Sequence, residues 1–246
     1  MPGSLGRGRR VYTFRTCVYP HLRRKPRHAY LGSVIRRIFF FLLLLVSTLA
    51  AAAPKTEKIG AFTEGSEKLN AALQSDGYRI YLPNTLACCD VWLAKKVATG
   101  KSNAPGANYP EFHESEFLGV INFPKGGGGD FRGQTIKAGS YTMRYELLPS
   151  DGNHMGVAPY PDMVLLIPVA DDPDPDAKFD FAKMVELSAK AAGTAHPAAF
   201  EMMPAHDGQA AVFQTDDGWV VFQAEIATDS GNPLKVAFVV KGSGEQ

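Results

Sequence analysis

The first 53 residues contain no aspartate or glutamate, although they hold 10 of the chain's 26 lysines and arginines. Acid is confined to the other 193 residues, which set 25 carboxylates against 16 basic side chains, a net charge of −9. The whole-chain value of +1 therefore averages two unlike parts. A body this acidic lacks the basic face that phosphate contacts need, so no nucleic-acid partner is expected. Cysteine is scarce too: Cys17 lies in the basic stretch, and Cys88 and Cys89 are neighbours. Two adjacent cysteines close no loop and cannot staple distant segments, which excludes a disulfide scaffold.

Complete catalytic motifs are also missing. There is no Gly-x-Ser-x-Gly elbow for a nucleophilic serine. His113-Glu-Ser-Glu116 opens like a zinc-protease helix, but Phe117 stands where the second histidine belongs. Lys125-Gly-Gly-Gly-Gly-Asp130 is followed by no Gly-Lys-Ser/Thr and by no helix start, so it reads as a flexible loop rather than a phosphate cradle. Asp172-Pro-Asp-Pro-Asp176 alternates carboxylates like a calcium loop, yet Ala177 replaces the turn glycine and Lys183 the bidentate glutamate. The segment reads instead as a stiff acidic linker placed favourably at a helix N-terminus.

One apolar run is present. Ile38 to Ala53 carries no charge, follows Arg36-Arg37 and precedes Pro54. A basic region, an apolar stretch and small residues at the cut are the requirements of a secretory signal, with Ala50 and Ala52 directing cleavage before Ala53. The alternative is an uncleaved anchor in the inner membrane, which normally needs about 20 apolar residues. The 37 residues ahead of this run exceed what a signal needs, so translation is expected to start near Val34, and Arg36-Arg37 also admits a twin-arginine reading. Residues 1–53 are thus expected to be a basic extension plus signal, and residues 54–246 a single exported domain, periplasmic or secreted. Cys88 and Cys89 read first as small residues at the start of a buried strand, which export could join in a vicinal disulfide; a thiolate pair for a soft metal or redox exchange is the alternative, with no C-x-x-C and no nearby histidine to support it.

Period-two alternation dominates the body. From Ser140 to Leu148, Tyr141, Met143, Tyr145 and Leu147 share one face, while Thr142, Arg144 and Glu146 share a face expected to be wet. Met163 to Val169 is apolar on both faces and predicts a central strand ending near Pro168. Further strands are expected at 78–82, 90–96, 117–123, 198–203, 209–214, 219–226 and 234–240, joined by short turn clusters that imply antiparallel neighbours. Eight or nine such strands predict a mainly β protein, an antiparallel β-sandwich or alternatively a β-barrel. One covering helix is expected at 181–192, capped by Asp180 and ended by Gly193, with Phe181, Met184, Val185, Ser188 and Ala192 as its buried stripe. Glu186 and Lys190 stand at the spacing of a helical ion pair. A shorter helix is expected at 66–74.

The fourteen-residue connection Pro149 to Asp162 is long for its place between two strands, and long ordered loops often carry function. It offers Asp151, Asn153, His154 and Tyr160 as candidate ligand-binding residues. The body's four histidines, His113, His154, His196 and His206, all fall in expected loops, with Met155, Met202 and Met203 near two of them. Gathered at one end of a sandwich they would hold copper or zinc.

Gly133-Gln-Thr-Ile-Lys-Ala-Gly-Ser-Tyr-Thr-Met-Arg-Tyr145, followed by Asp151-Gly-Asn-His-Met-Gly-Val157, resembles uncharacterised exported bacterial proteins that share a G-x-x-I-x-A-G-x-Y hairpin. The likeness spans residues 117–170. It implies a secreted β-sandwich of unknown function and assigns no catalytic residue. Two functional classes follow: a non-catalytic module that binds a ligand or envelope component and needs no cofactor, or an exported metalloenzyme or copper-handling protein.

Overall fold

The computed structural model describes residues 52–83, 87–100, 105–149, 158–209 and 211–242. The basic extension, nearly all of the apolar run, and Asp151, Asn153 and His154 lie outside the described residues. Ala51–Gln246 form one compact unit.

The alternating segments become strands. β1 (Lys55–Ile59), β2 (Gly77–Tyr81), β3 (Ala87–Leu93), β5 (Phe117–Phe123), β8 (Gly139–Leu147), β9 (Asp162–Pro168) and β10 (Ala199–Glu201) build a seven-stranded sheet in the order β1-β2-β3-β5-β8-β9-β10. Every neighbouring pair in it is antiparallel. β11 (Val212–Gln214), β12 (Val220–Thr228) and β13 (Leu234–Lys241) form a second antiparallel sheet, to which β4 (Lys96–Val97) adds in parallel beside β12. Neither sheet closes into a barrel; they form a sandwich. β6 (Gly128–Gly129) pairs with β7 (Thr135–Ile136), so the glycine run expected to be a flexible loop is a hydrogen-bonded ribbon.

Apolar side chains from both sheets share one core. Phe222 and Phe238 of the smaller sheet meet Tyr78 and Phe200 of the larger one, with ring centroids 5.1 Å apart for Tyr78–Phe222 and 6.2 Å for Phe200–Phe238. Aromatic pairs at such distances add to the burial that drives the two layers together. The sheets also meet just past β10, where Met202 forms an isolated antiparallel β-bridge with Phe238. Gly139, at φ 142°, opens β8 from a backbone conformation that side-chain-bearing residues rarely adopt.

Two helices accompany the sheets among the described residues: α1 (Glu67–Ala72) and α2 (Phe181–Ala192). The Asp180 carboxylate accepts from the Lys183 N–H, and Gly193 ends α2 in the left-handed conformation. Met184 and Leu187 of α2 pack on Met163, Leu165 and Ile167 of β9. The buried stripe is Met184, Leu187, Ser188 and Ala191, turned from the expected one because α2 lies over β9 on its Leu187 and Ala191 side. Phe181 and Val185 are thereby left at the edge, and Phe181 is the exposed large hydrophobic residue of the described chain, 43% accessible. Glu186 pairs with Lys183 rather than with Lys190, which reaches Asp171 instead. No helix among the described residues is long and apolar enough to cross a membrane.

Because α2 and the acidic segment before it cover the outer face of the large sheet, the face of β8 expected to be wet is dry. Thr142, Arg144 and Glu146 are all buried. Alternation separated the two faces of β8 correctly, but it carries no information about what a later segment lays across them.

Candidate functional site

The dry outer face holds two polar clusters, laid out by strand register. Arg144 stands opposite Leu165, which stands opposite Ala199; one step along, Glu146 stands opposite Met163, which stands opposite Glu201. The two glutamates therefore flank one methionine on the same side of the sheet. With neighbouring strands about 4.8 Å apart, their backbones lie roughly 10 Å from each other.

The Arg144 cluster is saturated. Its guanidinium grips Asp172 with two bonds, Nε to Oδ2 at 2.8 Å and Nη2 to Oδ1 at 2.7 Å. It also donates to the carbonyls of Ser115, Asp174, Pro175 and Ala177. The Thr142 hydroxyl donates to Asp172 at 2.6 Å, and the Phe117 and Phe179 rings stand on the guanidinium at 5.4 Å each. The Asp-Pro-Asp-Pro-Asp segment is therefore neither an ion loop nor simply a charged linker. It is the collar of a buried arginine, tied outward by the ion pairs of Lys68 with Asp174 and Asp176. With every donor used, this cluster has no free valence for a ligand.

The glutamate row is different. Glu146 is 3% accessible; its Oε1 accepts from the Leu147 N–H at 2.9 Å, and its Oε2 has no partner among the described residues. Glu201 is fully buried; its Oε1 accepts from the Tyr160 N–H at 3.0 Å, and its Oε2 also has no partner among the described residues. Withdrawal from water pushes both carboxyls up from 4.5 to about 7, partly opposed in each by its one backbone N–H. Buried side-chain oxygens without a partner are uncommon, and two in one cross-strand row call for an explanation.

Glu146 opens onto a cleft of about 200 Å³ between α2 and the sheet. Its walls are apolar: Leu147, Leu148, Met163, Leu165, Phe181 and Val185 supply most of them. Arg132 and His196 stand among the lining residues, Arg132 held by the Pro197 carbonyl at 2.7 Å. The cleft can take an apolar body, and Glu146 is the one carboxylate among its lining residues.

Of the residues expected to bind a ligand, Tyr160 alone is described. Its ring packs on the cluster of Phe131, Met203 and Val221, and its N–H holds Glu201, so it shapes the site from behind rather than lining the cleft. His196 does line the cleft. His113 sits on the surface beside Gly100, and His206 packs edge-on against Phe213 at 5.7 Å. No group of three or more His, Cys, Asp or Glu suited to a metal ion occurs among the described residues, so His113, His196 and His206 are not gathered as the copper or zinc reading requires. Cys88 and Cys89 carry free thiols in this structure, not the vicinal disulfide weighed from sequence. Alternation puts Glu146 on a face expected to be wet, and Glu201 lies in an expected strand with nothing to single it out except its place inside the apolar run Ala199-Phe-Glu-Met-Met203.

Comparison with protein-family models, with curated proteins and with solved structures yields no match. Function has to be argued from the chain's own geometry.

Proposed function

We propose that the protein is an exported, non-catalytic binding module, and that the cleft beneath α2 is its ligand site. The address rests on the apolar run at 38–53 and on the resemblance of residues 117–170 to exported β-sandwich proteins. The observation that carries the binding reading is that Glu146, a buried carboxyl with one oxygen unpartnered among the described residues, is among the residues lining an apolar cleft. A buried acceptor left empty is destabilising by about 1–3 kcal/mol, and a ligand that donates to it recovers that loss.

The size of the cleft limits the ligand. Drug-sized molecules occupy pockets of roughly 300–1,000 Å³, whereas an apolar cavity of about 150 Å³ accepts benzene. At about 200 Å³ this cleft fits one ring or a short branched chain bearing a single amine or hydroxyl donor. Phe181, exposed at the mouth, supplies a face for the ligand to slide against.

Calorimetry with benzylamine, benzyl alcohol and toluene tests this reading. The two donors are expected to bind, and toluene to bind at least about tenfold more weakly, since it leaves Oε2 unpaired. Glu146→Leu should reverse the order. Equal affinities for all three, unchanged in Glu146→Leu, would refute the assignment.

A further inference from the structure

The geometry points to a second site, independent of the cleft: Cys88 and Cys89 form a thiol–disulfide exchange pair, with Cys88 as the attacking sulfur, Cys89 as its resolving partner, and a low-molecular-weight disulfide as the substrate. Regular strand pleating would send neighbouring side chains to opposite faces. Here the register between β2 and β3 slips: Ile80 pairs with Cys89 and Tyr81 with Ala87, leaving Cys88 as the extra residue of a bulge. A bulge re-aims a side chain, so the alternation that would hold Cys88 and Cys89 on opposite faces is broken here.

The pair is asymmetric. Cys89 is buried, 1% accessible, whereas Cys88 is half-buried and lines an open cavity of about 470 Å³. The opposite wall is the bare backbone of Gly127, Gly128 and Gly129, with Asp130 and Lys241 beside it. That wall cannot acquire side chains freely, since a Cβ on Gly128 would come within 2.4 Å of the Phe123 ring and one on Gly127 within 2.1 Å of the Ile136 carbonyl oxygen. Cys88 therefore borders open space, whereas Cys89 is enclosed in the core. Hydrogen bonding from Cys89, with the Lys241 charge, holds the Cys88 thiol below its ordinary range despite burial, while the same contact and complete burial hold Cys89 well above it. A half-buried, acidic thiol at an open cavity, backed by a buried, protonated one, is the division of labour that disulfide exchange requires.

The chemistry balances. The Cys88 thiolate attacks one sulfur of R–S–S–R; that bond breaks, and the first RS⁻ leaves and is protonated by solvent. Cys89 then gives up its proton and attacks the Cys88 sulfur of the mixed disulfide, releasing the second RSH. The protein loses two electrons and two protons to become a vicinal disulfide, and the small disulfide is reduced to two thiols.

Oxidised glutathione is a suitable probe, used on the full chain carrying Cys17→Ser so that only this pair reacts. Intact mass should show loss of two hydrogens with release of two glutathione thiols for each protein molecule and no lasting adduct. Cys89→Ser, or Cys89→Ala if serine disturbs the core, should retain one glutathione on Cys88. Cys88→Ser should react at least about tenfold more slowly than the parent at pH 7. The proposal is overturned if Cys88→Ser reacts as fast as the parent, if the parent keeps its adduct, or if the folded parent reacts no faster than the same chain in denaturant.

Discussion

Arg144 and Glu146 are two residues apart on one face of one strand, equally deep, and treated in opposite ways. Arg144 meets Asp172 and four carbonyls, so every donor it has is used. Glu146 meets one backbone N–H and keeps an oxygen idle beside an apolar cleft. Burial alone does not mark a polar side chain as functional. The unfilled valence does, because folding has no use for it and pays about 1–3 kcal/mol to keep it.

The comparison breaks most sharply at the saturated end. Asp172→Ala strips the partner from a buried guanidinium and is expected to destabilise the fold by about 3–5 kcal/mol in urea unfolding. The neutral, well-packed pair Arg144→Met with Asp172→Leu should recover most of that loss. A single variant within about 0.5 kcal/mol of the parent would show the collar to be ornamental.

At the unsaturated end the sign inverts. A carboxyl whose folded pKa stands near 7 rather than 4.5 stabilises the fold relative to its charged state only at low pH. Its contribution is complete below about pH 4.5 and is lost as pH rises through 7. Stability should therefore fall over that window, and Glu146→Gln or Glu201→Gln should stabilise the protein at pH 8 by on the order of 1–2 kcal/mol while changing little at pH 4. Denaturant midpoints of the three proteins at the two pH values decide this; glutamine variants weaker than the parent at pH 8 would contradict it. The smallest effect is expected at Phe181, which is exposed and contributes little to the fold. Phe181→Ala should leave the unfolding midpoint within about 0.5 kcal/mol of the parent yet weaken benzylamine binding several-fold.

The same contrast explains what was legible in the sequence. Strand positions and the caps of α2 are local properties: alternation marks β8, a continuous apolar run marks β9, and Asp180 and Gly193 announce the helix ends. The dryness of the outer face is not local. Asp172 lies 28 residues from Arg144 in the chain, and Glu201 lies 55 from Glu146, so only sheet register brings the partners together. A buried arginine in an alternating strand has the same pattern as a solvated one. The helix stripe failed for a related reason: Phe181 and Leu187 are comparable in hydropathy, and only the docking of α2 over β9 decides which is covered. The bulge at Cys88 needs a register slip against β2, which spacing along one strand cannot disclose. Asp151, Asn153 and His154 lie outside the described residues.

Site-resolved titration of the Glu146 side-chain carboxyl in the ligand-free protein, by carbon-13 NMR with Glu146→Gln to assign the signal, tests the central claim most directly. A midpoint near 7 is expected for a carboxyl buried with an idle oxygen. A midpoint near 4.5 would mean that water or another group already satisfies it, and the cleft would lose its claim to be a site.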